Sequence, residues 1–148
     1  MKVANNWKEL EMLIKIAINE SLDDEVAKEV KKLQQENVVE TVYSAGTPRY
    51  YVRRDLTNGS LGDINVMSHT VGNGVLLVQN NAKAKRTWQT TGYSPRNLAE
   101  MIENGYGDEW YSQPRRFIRD TREDLRAGKA VIALKRGLRK RLGNGSVV

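Results

Sequence analysis

The run from Pro114 to Leu142 constrains this chain more than any other stretch. Placed on a helix at about 100° per residue, it sorts into two arcs. Arg115, Arg119, Arg122, Arg126, Lys129, Arg136 and Lys140 share one narrow stripe. Ile118, Thr121, Leu125, Val131, Ile132, Leu138 and Leu142 fill a wider arc beside it, with Leu134 at its edge. This spacing predicts one long helix, apolar on one side and cationic on the other. Pro114 suits its start, where no backbone N–H partner is needed. Asp120, Glu123 and Asp124 lie near that start, where the helix dipole favours anions. Gly143 and Gly145 suit the stop. Gly128 and Gly137 are weak points, each costing ~1 kcal/mol against Ala. The apolar arc needs a body to dock on. The cationic stripe repels itself unless water, salt or an anionic partner answers it. It reads either as a solvated face or as a surface for nucleic acid or an acidic neighbour.

The charge around this helix is uneven. Residues 1–46 carry 6 basic and 9 acidic side chains, a net of −3; residues 47–113 carry 7 and 6, a net of +1; residues 114–148 carry 11 and 3, a net of +8. A chain acidic at one end and basic at the other suits head-to-tail contacts between copies, or one face turned toward DNA. With 148 residues it is long enough for one domain with a real core. Hydrophobic content of 39% and charged content of 28% fit a globular protein. No apolar run approaches the ~18 residues of a membrane span, so no membrane partner is expected. The first six residues hold no apolar signal core, so synthesis in the cytoplasm is expected.

Before the last helix, Trp7, Leu10, Leu13, Ile14, Ala17, Ile18 and Ser21 fall on one helical arc. From residue 22 the arc jumps to Leu22, Val26, Val30 and Leu33. A break at Ser21, with Ser21-Leu22-Asp23-Asp24 resembling a capping box, would explain the jump. The second helix runs toward Val39–Tyr43, where β-branched residues leave helix and strand both open. Residues 46–107 hold eight of the twelve glycines and most of the strand signals. Gly72-Asn73-Gly74 predicts a hairpin turn, and Val75-Leu76-Leu77-Val78 a buried strand. Pro95 to Asn104 predicts a short helix. The order of helices, small sheet, short helix and long helix predicts an α+β fold. We read residues 1–148 as a single α+β domain: a helical part at 1–44, a sheet part at 46–91 and helices at 95–143. A small antiparallel sheet would pack on the N-terminal helices and the long C-terminal one.

The chemistry is sparse. With no cysteine, there are no disulfides, thiolate metal sites or thiol nucleophiles. His69 stands alone, and in a strand-like stretch it reads more simply as structural than as a general base. Asp108-Glu109 near Glu103 is the nearest approach to a hard-cation site, and solvated loop acids explain it as well. Gly72-Asn73-Gly74 lacks the Lys-Ser/Thr of a phosphate loop. No catalytic set, metal or cofactor is expected. Nucleic acid is the live chemical option. Arg49-Tyr50-Tyr51-Val52-Arg53-Arg54, and Trp110-Tyr111 before Arg115-Arg116, set rings beside cations. Rings stack on bases and arginines meet phosphates, but the same residues anchor protein interfaces. No helix-turn-helix, zinc-finger or RNA-recognition pattern is present, so any DNA contact would be backbone electrostatics.

Several segments in order carry a resemblance. They are a long helix ending at Val42-Tyr43, then Pro48-Arg49-Tyr50-Tyr51-Val52-Arg53-Arg54, then Leu56 and Leu61-Gly62-Asp63. A Val-rich strand ending at Asn80-Asn81 follows, then Ile102-Glu103-Asn104-Gly105-Tyr106-Gly107, then Pro114-Arg115-Arg116-Phe117-Ile118 opening an amphipathic helix. This pattern resembles the tail-completion, or head–tail joining, proteins of long-tailed bacteriophages. It departs in reading Asn58-Gly59-Ser60-Leu61 where a paired glycine precedes the leucine, and Arg116 where proline precedes the Phe117 position. The resemblance implies a non-enzymatic virion part at the head–tail junction. Its copies would form a ring, often a hexamer, between the head connector or stopper protein and the tail tube protein, around the DNA channel. On this reading Tyr50, Tyr51, Arg53, Arg54, Arg115, Arg116 and Phe117 serve subunit or partner contacts, with the three aromatic residues as packing anchors. Arg119, Arg122, Arg126, Lys129, Arg136 and Lys140 would face DNA or an acidic neighbour. The alternative is a small basic protein that binds nucleic acid without regard to sequence.

Overall fold

A computed structural model describes residues 4–44, 56–57, 59–83, 97–104 and 114–143. The described elements make an α+β protein, dominated by helices with one two-stranded antiparallel hairpin. The chain begins with α1 (Trp7–Ser21), passes through a π-helical turn (Leu22–Val26) and continues as α2 (Ala27–Asn37). A second π-helical turn (Val38–Tyr43) ends that run. A short 3-10 turn (Ile64–Val66) leads into β1 (Met67–Gly72) and β2 (Val75–Asn80). Then come α3 (Leu98–Asn104), α4 (Phe117–Asp124) and α5 (Ala130–Leu142). The described residues fall into two compact units, one within Met1–Val30, His69–Val78 and Asp124–Val148, the other within Lys31–Ser68 and Gln79–Glu123.

The phase jump at Ser21 is real, but its cause is not a cap. Ser21 keeps α-helical angles, caps nothing, and its hydroxyl donates to the Ala17 carbonyl at 2.6 Å. Instead the helix widens, and the N–H of Ala27 reaches the carbonyl of Leu22, five residues back. A π turn takes more residues per revolution than an α turn, so the apolar stripe shifts around the axis without a break. The same device closes the run, where Ser44 N–H meets the Val39 carbonyl at 3.1 Å. The helix-or-strand ambiguity at Val39–Tyr43 thus resolves as helix. The true N-cap lies upstream. Asn6 accepts from the Glu9 N–H at 2.9 Å, and the Glu9 carboxylate accepts from the Asn5 N–H at 2.6 Å.

The hairpin turn forms as its sequence dictates. Asn73 and Gly74 have φ of 51° and 75°, the left-handed pair a two-residue turn of matching twist needs. The strand after it differs from expectation. Val75 and Leu77 are exposed while Leu76 and Val78 pack on Val26, Val30 and Ala133. Strand geometry sends alternate residues to opposite faces, and only one face here meets helices. The long C-terminal helix also differs. At Gly128 φ is 114°, outside the helical region, and the run divides there. Gly143, at φ 85°, ends α5 as expected.

The second unit holds the larger core. Val38, Val42, Leu61, Ala82, Leu98, Ala99, Ile102 and Phe117 are buried together, with Tyr43, Val66 and Ile118 against them. The Leu61-Gly62-Asp63 run explains itself here. Leu61 is core, and a Cβ on Gly62 would meet Leu56 Cδ2 at 2.5 Å. Asp63 accepts from the N–H groups of Gly59 and Asn65, both at 2.9 Å. Those two backbone hydrogen bonds hold its carboxyl below the ordinary carboxylate range. Neutral polar bonds tie the unit together: Asn37 to Thr121 at 3.2 Å, Gln35 to the Gly62 carbonyl at 2.8 Å, and Asn80 to the Leu61 carbonyl at 2.8 Å.

Candidate assembly surface

The first unit is built differently. Its fully buried apolar residues are few: Ala17, Val26, Ala27, Val30 and Ala133. Around Val26, Val30 and Ala133 pack the half-buried Leu22, Leu76, Val78, Leu125 and Leu134. Here α5 lies antiparallel to the first helical run. Arg136 pairs with Glu29 at 3.8 Å, Lys140 with Glu25 at 3.4 Å, and Arg141 with Glu20 at 3.3 Å, so rising numbers on one meet falling numbers on the other. The crossing is close at Gly137, where a Cβ would lie 2.7 Å from Ser21 Cβ and 2.7 Å from Glu25 Oε2. Next to it, Arg141 Nη1 donates to Glu25 Oε2 at 2.6 Å and to the Gly137 carbonyl at 3.1 Å. Burial pushes the Glu25 carboxyl up, but the hydrogen bond and charge of Arg141, joined by Lys140, outweigh it and hold the group below its ordinary value. Two bonds pin the hairpin to the same run: Gly74 N–H to Asn19 Oδ1 at 2.9 Å, and His69 Nε2 to Asp23 Oδ1 at 3.0 Å. His69 is structural here.

This docking follows the expected face of α5 only in part: Leu134, Leu138 and Leu142 are half-buried, while other residues depart from expectation. The side turned inward carries Ala133, Gly137 and Arg141, flanked by Arg136 and Lys140. Val131 and Ile132, from the arc expected to dock, are 53% and 65% exposed. The acids at Glu20, Asp24, Glu25 and Glu29 draw the cations in, and two small residues let the helices approach.

The uncovered apolar surface is largest on α1. Trp7, Leu10, Leu13, Ile14, Ala17 and Ile18 share one broad arc of this helix, Met12 and Ile16 stand apart on another side, and Lys8, Glu11, Lys15 and Asn19 make a polar side between them. Apolar surface on two sides of a helix calls for cover on both. Yet only Ala17 and Ser21 of α1 are fully buried. Trp7 is 85% exposed, Met12 55% and Ile16 43%. Among the described residues no helix is long and apolar enough to cross a membrane.

The residues singled out from sequence are scattered. Tyr50, Tyr51, Arg53 and Arg54 lie outside the described residues. Phe117 is 0% exposed, held in the core of its own unit, so its ring is a packing anchor with no surface left to offer a partner. Arg115 is half-buried, and its N–H donates to the Ile102 carbonyl at 2.9 Å. Arg116 is exposed. Of the stripe, Arg119 pairs with Asp120 at 3.3 Å, Lys129 with Asp124 at 3.4 Å, and Arg136 and Lys140 with the acids already named. Arg122 and Arg126 are exposed with no ion pair among the described residues. Two residues escaped the sequence reading. Arg141 sits off the stripe but carries the most acid contacts; its spacing of four from Gly137 was the available signal. Glu103, weighed as a cation ligand, instead caps α4, accepting from the N–H groups of Ile118 at 2.9 Å and Arg119 at 3.2 Å.

Comparison with known proteins places the chain. The model of the YomN family matches residues 6–140. The chain belongs to the YomN family. It is similar to the SPbeta prophage-derived uncharacterized protein YomN of Bacillus subtilis (strain 168), at 28% identity over 147 residues, covering 93% of this chain and 95% of that relative. The family match thus takes in α1 and nearly all of α5, two of the elements that carry exposed apolar side chains. No solved structure matches the chain.

Proposed function

We propose that this chain is a structural subunit of a tailed bacteriophage particle, assembling with copies of itself at the junction of head and tail. The observation that carries the assembly reading is α1, apolar on two sides, with Met12 and Ile16 left exposed on the second. The prophage origin of a family relative supports a phage context. The sequence resemblance carried by the succession of segments from Val42-Tyr43 to Phe117-Ile118 supports the junction. Copies form a ring, often a hexamer, between the head connector or stopper protein and the tail tube protein. The ring acts through surfaces, without catalysis or cofactor, and DNA passes within it. A second reading, sequence-independent nucleic-acid binding, draws on Arg116, Arg122 and Arg126, exposed cations with no ion pair among the described residues.

Deleting the gene from its phage tests the proposal. The expected outcome is filled heads and finished tails that fail to join, with the protein found at the junction of wild-type particles by antibody labelling. Normal particles from the deletion, or wild-type particles lacking the protein, would overturn it. Tight duplex binding by a monomer, lost with rising salt, would favour the second reading.

A further inference from the structure

We infer that the outward side of α1 receives the outward side of α5 from a second copy of this chain. This rests on the assembly reading above and names its contact. On α1, Met12 and Ile16 are exposed one helical turn apart, and Glu9 lies three residues before Met12 on the same side. On α5, Ile132 and Val131 are exposed, and Lys135 and Arg139 follow on the same side. Lys135 and Arg139 have no ion pair among the described residues, whereas Arg136, Lys140 and Arg141 are all engaged by acids of the same chain. The free cations of this unit therefore point away from its own acids.

The two sides match in order as well as in kind. Met12 to Glu9 and Ile132 to Lys135 are each three residues, about 4.5 Å along a helix. Laid antiparallel with Glu9 opposite Lys135, Met12 falls opposite Ile132, Ile16 extends the apolar strip one turn further past Val131, and Arg139 lies one turn past Lys135 at the other end. The apolar pairs exclude water, and the charges at one end fix direction and register. The two patches lie on different parts of one chain, so the contact is heterologous. A joined pair keeps one free patch of each kind, and the contact propagates until a ring closes.

The chain has no cysteine, which makes the test clean. Met12→Cys and Ile132→Cys are placed together in the full chain, which is then oxidised. The contact predicts a ladder of covalent multimers in denaturing gels. Either single variant yielding dimers as readily, with no ladder from the pair, would mean like-to-like contact and overturn the inference. Charge reversal gives a second measure. Lys135→Glu and Arg139→Glu, both at exposed positions away from the α1 cap, should each weaken association by about tenfold with helix content unchanged. If the wild type is multimeric but neither measure responds, this contact is wrong and the assembly reading stands. If the wild type stays monomeric and binds only anionic lipid vesicles, both fall.

Discussion

The two units of this molecule are held by different forces, and the difference separates scaffold from surface. The second unit gathers eight buried apolar side chains, Phe117 among them, and bridges them with neutral hydrogen bonds. The first has a small core, a close helix crossing at Gly137, and ion pairs from Arg136, Lys140 and Arg141. Apolar burial is insensitive to salt and pH, whereas half-exposed ion pairs respond to both. The first unit also leaves Trp7, Met12, Ile16, Val131 and Ile132 in water. A unit with a spare apolar surface and a modest core is one that other copies can complete.

Phe117→Ala should break the comparison most severely. It empties the centre of the larger core and should cost about 3–5 kcal/mol, read by urea unfolding. Amide exchange should quicken first in α3 and α4. Gly137→Ala should act on the other unit. The added methyl gains ~1 kcal/mol of helix propensity. The contact with Ser21 Cβ at 2.7 Å cannot be relieved by a side-chain swing, so overpacking of roughly 1–3 kcal/mol prevails. Exchange should quicken in α5 and stay unchanged in α3.

Arg141→Met should remove a charged hydrogen bond worth about 1.5–3 kcal/mol at Glu25. It should also change the pH response. The folded-state pKa of Glu25 lies below its ordinary 4.5, so its contribution is full above that value and is lost as pH falls through the folded one. Wild type should therefore loosen at α5 below pH 4.5, and Arg141→Met should flatten that limb. Asp63, lowered in the same direction, weakens the second unit in the same acid range. Exchange resolved by element, not a single melting curve, separates the two. The smallest effect on stability belongs to Met12→Asp. It sits in solvent and should change folding by less than ~0.5 kcal/mol while abolishing association.

How far the sequence was legible follows from how local each cause is. The Asn73-Gly74 turn needs only its own two residues, and it was readable. The phase jump at Ser21 was readable from apolar spacing. Its mechanism was not, because a π turn and a capped break shift the stripe alike. The face of α5 was legible only in part. Arg136 and Lys140 stay exposed as a cationic stripe should, yet they meet acids a hundred residues away that no local spacing reveals. Glu103 is similar: nothing near it in sequence marks it as the cap of α4. Phe117, expected from the resemblance as a partner contact and packing anchor, is enclosed in the core of its own unit, which only its distant neighbours in sequence decide. The second apolar side of α1 was in plain view as residues but not as a surface. Its seven-residue arc from Trp7 to Ser21 drew attention away from Met12 and Ile16 on the far side.

The most direct test is sedimentation equilibrium of the purified chain over a wide concentration range, beside Met12→Asp/Ile16→Asp. The account predicts that wild type moves from 16.8 kDa to multiples of that mass, while the double variant, equally folded by circular dichroism, stays at 16.8 kDa. A wild type that remains at 16.8 kDa at every concentration would contradict it.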